Sequence, residues 1–200
     1  MTIHHHPSDG SILAYANGSL KRTLSLAMGA HLEVCAACRE SLARAEDVAG
    51  QLLDAAPVAE VEDGALAKLL ERLERAEPLP SSPAPRPFRE QLRHLGKKHW
   101  LAPGIWIHPI LKLGAERAYF LGAEPGKTLP SHGHKGMEMT QVLEGEFFDG
   151  GMRYSPGDFL EAGEEIEHAL QVGPGGPCVC LIASESVPRG LPGLLMRLIA

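Results

Sequence analysis

A cluster of prolines near residue 80 constrains the fold of this chain more than any other feature. Five of the ten positions from 78 to 87 are proline, and two others are serine. Proline has no backbone N–H to donate and biases the preceding residue toward extended geometry, so this stretch fits neither a helix interior nor a central strand. We therefore predict two domains, at residues 1–76 and 91–200, joined by a proline-rich linker at residues 77–90.

The domain before the linker is predicted to be all-α. Apolar side chains recur every three or four residues, with frequent Leu and Ala, in residues 12–16, 20–31 and 42–53. A fourth segment, 64–77, carries a leucine stripe at helical spacing, formed by Leu66, Leu69, Leu70 and Leu73. Such a stripe either packs against the other helices as core or lies in a groove of a partner protein, and both interpretations stay open.

The domain after the linker is predicted to be all-β. Its apolar segments are short and are bounded by Gly, Pro or Asp, a pattern typical of a β-sandwich or a small barrel. The predicted strands lie within residues 100–113, 118–123, 139–143, 146–148, 158–161, 169–172 and 178–183. The apolar stretch 191–200 fits either a closing strand or a helix.

Composition excludes several functional classes. The 200 residues carry a net charge of −6, whereas a general nucleic-acid binder presents a positive footprint to phosphates. No apolar run approaches the roughly 18–20 residues that a membrane span needs, and the first residues lack a secretory hydrophobic segment. We therefore expect a cytoplasmic protein that contacts neither nucleic acid nor membrane directly. In a reducing compartment, its four cysteines are expected to be metal ligands or reactive thiols.

One pair of cysteines forms a candidate metal motif with a histidine. His31, Cys35 and Cys38 follow one another at i, i+4 and i+7, so on a continuous helix their side chains point within roughly 60° of each other. Two thiolates and an imidazole suit a structural zinc ion, and one of the histidines at 4–6 is expected to close the tetrahedron from another segment. A redox pair of cysteines and plain burial of two small side chains are the alternatives.

A second candidate metal site lies in the β domain. His132 and His134 project to the same face of an extended segment, and Glu138 can join them after a short turn. His168 follows further along the chain. Three imidazoles and one carboxylate on an inner face make a site for a divalent metal.

The spacing around these ligands resembles the cupin family. The segment from Gly126 to Gly145 is similar to the first cupin motif over its whole length, and residues 156–168 are similar to the second. In the second motif Glu161 stands where cupins usually have proline, and the histidine comes later than usual. The resemblance implies that the β domain is a cupin (jelly-roll) barrel holding zinc or another divalent metal.

The whole chain resembles the ChrR-type anti-sigma factors, in which a zinc-binding helical domain precedes a cupin-like domain. The similarity includes the opening residues 5–20 and the motif His31-x3-Cys35-x2-Cys38. In that family an upstream histidine completes the zinc site, and it corresponds to His6 here. The order of the two motifs in one chain of this length makes the resemblance more specific than either motif alone.

The resemblance implies a binding function and no enzymatic activity. Members of this family clamp an extracytoplasmic-function (ECF) sigma factor, hide its surfaces for RNA polymerase and promoter DNA, and release it after oxidative stress by singlet oxygen or peroxides. The acidic balance of the chain suits a basic partner surface. Since zinc has no redox chemistry of its own, Cys178 and Cys180 are candidate redox thiols, with inert packing as the alternative.

Two other functions compete with this interpretation. A site of three histidines and one glutamate is also found in cupin dioxygenases and isomerases, where iron or manganese keeps open coordination positions. A generic adaptor whose helical domain binds some other protein is the third possibility. We favour regulation over catalysis because a small-molecule oxygenase has no evident need for an attached zinc-binding helical domain.

Overall fold

A computed structural model describes residues 2–75, 97–164 and 167–187 of the chain. The predicted linker at 77–90 and the apolar stretch at 191–200 lie outside those residues. Within the described ranges, none of the helices combines the length and the apolar content that a membrane span requires. The domain boundaries therefore stay predictions, whereas the helical and β regions on either side can be described in detail.

The first described range is helical, as the periodicity predicts. Ser8 caps the first helix, because its hydroxyl accepts the N–H of Ser11. The second helix ends at Cys35, whose backbone is extended (φ −104°, ψ 107°), and the third begins one residue later. The helices are α1 (Asp9–Ala16), α2 (Arg22–Val34), α3 (Ala36–Asp54) and α4 (Ala65–Arg75). His31, Cys35 and Cys38 therefore lie in a helical region, as predicted, but a break at Cys35 interrupts the continuous helix on which their angular spacing was calculated.

The second and third ranges form two antiparallel β-sheets. The strands are β1 (His99–Ala102), β2 (Ile105–Leu113), β3 (Glu116–Ala123), β4 (Glu138–Glu144), β5 (Phe147–Asp149), β6 (Met152–Tyr154), β7 (Phe159–Ala162), β8 (Gln171–Val172) and β9 (Cys178–Ser184). The large sheet has the order β1-β2-β3-β9-β4-β7, and the small sheet has the order β6-β5-β8. Across the described ranges the strands form no closed ring. A helical region followed by an all-β region is thus the part of the fold prediction that these elements confirm.

The central strands of the large sheet, β3, β9 and β4, are buried on both faces. Alternate side chains of β9 point in opposite directions, so that Cys180 and Ile182 face the small sheet while Leu181 and Ala183 face the helices. On the helical side, Met28 of α2 joins the same buried cluster. The helical region and the β region therefore share a hydrophobic core along α2, a contact that no sequence pattern predicted.

Gly145 connects β4 to β5 in a backbone conformation that only glycine adopts easily. Its φ is +69°, and a Cβ built there would overlap the carbonyl oxygen of Pro177 and lie 2.9 Å from Cα of Cys178. Because both neighbours are backbone atoms, we expect Gly145→Ala to destabilise the β region by about 2–4 kcal/mol. Urea unfolding followed by tryptophan fluorescence measures this loss of stability, because Trp100 lies in β1 and Trp106 lies in β2.

Gly150 provides the matched control for that substitution. It also has a positive φ, +55°, but a Cβ there meets no atom within 4 Å. Gly150→Ala should therefore cost only the conformational strain, about 1–2 kcal/mol. Equal losses in the two variants would show that the contact with Pro177 does not matter.

Candidate metal centres

Four predicted ligands meet at the helical centre, which we define as His6, His31, Cys35 and Cys38. Their ligand atoms all lie within 4.8 Å of one another. His6 Nδ1 is 3.3 Å from Cys35 Sγ and 3.4 Å from Cys38 Sγ, and His31 Nε2 is 3.2 Å from Cys38 Sγ. The extended backbone at Cys35 turns the chain between α2 and α3, which brings both sulfurs toward the imidazoles.

The donor set of the helical centre fits a tetrahedral zinc ion. Ligands bound to zinc at normal bond lengths lie about 3.3–3.8 Å apart, close to the three distances above. Burial lowers the pKa of His31 to about 4, so its imidazole is neutral and able to bind metal. Burial and a hydrogen bond with Cys35 raise the pKa of Cys38 to about 12, so without a metal this side chain is a thiol. Metal binding would therefore displace protons from this site.

The other predicted ligands meet at the cupin-like centre, which we define as His132, His134, Glu138 and His168. All four side chains are buried, and their ligand atoms also lie within 4.8 Å of one another. His134 Nε2 and His168 Nε2 are 2.9 Å apart, and an isolated antiparallel bridge joins the backbones of His132 and His168. Glu138 is the first residue of β4, so the large sheet fixes its position.

Both carboxylate oxygens of Glu138 indicate that a cation belongs in the cupin-like centre. They lie 3.4 Å from His134 Nδ1 and 3.8 Å from His168 Nε2, yet neither makes a hydrogen bond to any residue that the structure describes. Glu138 is 1% exposed, and burying two carboxylate oxygens without hydrogen bonds costs folding free energy. A divalent ion bound by the three imidazoles would satisfy them.

Two groups that the sequence analysis missed orient these ligands. Asp149, at the end of β5, accepts a hydrogen bond from His168 Nδ1 at 3.3 Å. The carbonyl oxygen of Gly157 lies 3.1 Å from His31 Nδ1, which directs His31 Nε2 toward the helical centre. The Asp149-Gly150 pair signals a hairpin turn in the sequence, but nothing there signals its contact with His168.

Burial raises the pKa of Glu138 to about 8, which predicts a pH-dependent metal affinity. Below this pKa the carboxyl is protonated, so a bound metal must displace a proton and the affinity rises with pH. With the helical centre filled by zinc, manganese affinity should increase up to about tenfold per pH unit between about pH 6 and 8. Calorimetry in buffers of different ionisation enthalpy counts the protons that are released.

Glu138→Gln is the control for this pH dependence. The amide is nearly isosteric and cannot lose a proton, so the variant should bind manganese more weakly and release about one proton fewer. The same proton release in both chains would contradict the assignment of the titration to Glu138.

The two remaining cysteines lie side by side on the inner face of β9. Cys178 and Cys180 are both free and buried, with their Sγ atoms 3.7 Å apart. The hydrogen bond with Cys178 and burial raise the pKa of Cys180 well above its usual value, which keeps it a neutral thiol. A redox role for this pair stays a prediction.

The leucine stripe on α4 is exposed to solvent. Its four side chains are 50–69% exposed, and α4 has no buried residue. Within the described ranges, the stripe does not pack as core against the other helices. Its exposure favours the interpretation that it faces a partner, because a contiguous apolar surface of this kind is usually an interaction site.

A curated relative matches this chain over nearly its whole length. The anti-sigma-E factor ChrR of Cereibacter sphaeroides is 36% identical over 199 residues, which cover 94% of this chain and 93% of the relative. The chain belongs to the ChrR family of anti-sigma factors. The resemblance predicted from the order of its two metal motifs is confirmed.

Family-level and structural comparisons cover both parts of this ChrR-family chain. The model of the ChrR cupin-like domain matches residues 89–188. A crystal structure of Rhodobacter sphaeroides SigE in complex with the anti-sigma ChrR is similar at 31% identity and a TM-score of 0.78. That similarity covers 92% of this chain and 99% of the matched one. The ChrR-family fold therefore includes the helical region as well as the cupin-like sheets.

Proposed function

We propose that this chain is an anti-sigma factor that binds and inhibits an ECF sigma factor in the cytoplasm. The observation that carries the proposal is the similarity to the anti-sigma factor ChrR over 94% of the chain. The relative of known structure was crystallised in complex with SigE. The exposed leucine stripe on α4 supports the proposal because an inhibitor of this kind needs an apolar surface for its partner.

The helical domain, residues 1–76, is proposed to bind the sigma factor through a surface that a structural zinc ion organises. The proposed ligands are His6, His31, Cys35 and Cys38. They come from three segments: the residues before α1, α2, and the α2–α3 junction with the first turn of α3. A zinc ion in this position would hold those segments in one arrangement. The two thiolates favour zinc over magnesium, calcium or manganese.

The cupin-like domain, residues 91–200, is proposed to be a jelly-roll sensor rather than an enzyme. His132, His134, Glu138 and His168 would hold a second zinc ion or another divalent metal. We propose that an oxidative signal, singlet oxygen or a peroxide, acts on this domain and that the sigma factor is then released. The thiols of Cys178 and Cys180 are candidates for the oxidised groups.

Purification of the tagged chain from its native cell tests the proposed function. We expect a sigma factor to co-purify and to be identified by mass spectrometry. In reconstituted transcription, the purified chain should then inhibit RNA polymerase that carries this sigma factor. Capture without any sigma factor, or unchanged transcription with the chain in excess, would refute the proposal.

A further inference from the structure

The turn between β6 and β7 contacts the N-terminal segment that carries His6. This segment meets the start of β7, where Phe159 donates its N–H to the carbonyl oxygen of His5 at 3.0 Å. Beside this bond, Asp158 Oδ1 accepts the N–H of His4 at 2.7 Å and the N–H of His5 at 3.0 Å. One backbone hydrogen bond and two bonds to a carboxylate thus hold residues that lie next to a proposed metal ligand.

The carboxylate of Asp158 is buried at this contact. Its side chain is 1% exposed, and its second oxygen accepts the N–H of Ser155 at 2.8 Å. Burial alone would raise the pKa of Asp158, but the hydrogen bonds from Ser155, His4 and His5 outweigh that effect and hold the pKa below its usual value. Hydrogen bonds to a charged acceptor of this kind are roughly twice as strong as neutral ones.

We propose that Asp158 is a positioning residue for the helical centre, since it fixes the backbone of His4 and His5 so that the adjacent His6 imidazole faces the two cysteine sulfurs. The same turn orients the second imidazole, because the Gly157 carbonyl accepts from His31. The cupin-like domain therefore supplies the outer shell of a metal centre whose ligands all belong to the helical domain. This inference rests on the proposed function only in requiring a metal at those ligands.

The need for such a residue follows from the position of His6 in the chain. His6 precedes α1 and lies outside any helix, so no helical hydrogen bond restrains it. A ligand on an unrestrained segment loses conformational freedom when it binds a metal, which weakens the binding. Asp158 imposes that order before the metal binds.

The turn also links the two metal centres through adjacent strands. β7, which follows Asp158, pairs with β4, and Ala162 of β7 lies opposite the ligand Glu138 of β4. A shift of β4 against β7 therefore moves the turn that holds His6 and His31. Through this contact, a change in the cupin-like domain has a direct physical route to the helical centre.

Cobalt binding to the full-length chain tests the role of Asp158. A thiolate-to-cobalt charge-transfer band reports on the helical centre alone, because no cysteine belongs to the cupin-like centre. We expect Asp158→Asn to raise the cobalt dissociation constant at the helical centre by about 10- to 100-fold. Glu161→Gln, in the strand that follows Asp158, is the control, since the Glu161 carboxylate contacts the N-terminal segment through one exposed bond, at 3.3 Å from the N–H of Ser8. It should change the dissociation constant by less than about threefold.

A second pair of variants leaves Asp158 and its bond to Ser155 intact. His5→Pro and His5→Ala both remove the ring that lies 4.3 Å from the Tyr154 ring, but only proline also removes the N–H that Asp158 accepts. We expect the cobalt dissociation constant of the helical centre to be about tenfold higher in His5→Pro than in His5→Ala. Tryptophan fluorescence should show the same unfolding of the β region in both chains.

Three results would overturn the inference. Equal cobalt affinity in His5→Pro and His5→Ala would exclude an effect of the N–H that Asp158 accepts. Wild-type affinity in Asp158→Asn would exclude an effect of its charge. If the wild-type chain gave no thiolate band at all, the proposed centre would be refuted together with this inference.

Discussion

Replacing Cys38 with alanine is expected to remove one metal ion per chain and to weaken sigma-factor binding at least about 100-fold. Cys38 is the single buried residue of the 19-residue helix α3. By contrast, α2 packs on the large sheet through Leu24, Ala27 and Met28, which are buried without help from a metal. Loss of the thiolate should therefore loosen α3, together with α1 that packs on it, while α2 stays in place.

Metal analysis measures the loss of the ion in Cys38→Ala, and calorimetric titration measures the weaker binding of the sigma factor. Urea unfolding measures the stability of the β region. The β region should unfold at close to the wild-type urea concentration, because α2 keeps its packing on the large sheet without the metal. Cys180→Ala is the matched control, as it removes another buried thiol from a strand with no proposed ligand. Its metal content and sigma affinity should be those of the wild type. Native sigma affinity in a Cys38→Ala chain that has lost the metal would show that the ion does not organise the binding surface.

The spacing of apolar residues predicted the helices, and short apolar segments bounded by turn residues predicted most strands. Both patterns depend only on residues that are neighbours in the sequence. The central strands β3, β4 and β9 are buried on both faces. His132, His134 and Glu138, which are close together in the sequence, also lie close together in the fold. The meeting of His168 with these residues depends on a bridge to His132 from a distant segment. His168 was predicted as a ligand from its residue type, and the similarity of residues 156–168 to the second cupin motif supported that prediction.

The sequence did not reveal how the helical centre is assembled. Neither glycine nor proline marks the break at Cys35, where the backbone is extended to bring two sulfurs together. Asp158 contacts a segment more than 150 positions away, and a single aspartate after a Pro-Gly turn has many possible partners. Long-range contacts of this kind leave no period in the sequence, so the packing of α2 on the sheet was missed for the same reason.

Truncation of the leucine stripe should abolish most sigma binding without disturbing either metal centre. We expect the double variant Leu69→Ala, Leu73→Ala to weaken the affinity about 30- to 1,000-fold, since each leucine buried in an interface contributes about 1–2 kcal/mol. Both side chains are at least half exposed in the free chain, so the substitutions remove no core contact. Alanine also favours helix formation at least as well as leucine, which excludes loss of α4 as the cause.

The opposite face of α4 provides the control for this prediction. Glu71 and Arg75 form an exposed ion pair, and at about 100° per residue they lie roughly opposite the leucine stripe. Glu71→Ala combined with Arg75→Ala makes the same number of substitutions in the same helix and should change sigma affinity by less than about threefold. Metal content should equal that of the wild type in both double variants. Equal losses of affinity would show that α4 contributes no specific apolar face, and equal retention would place the sigma-binding surface on α1–α3 instead.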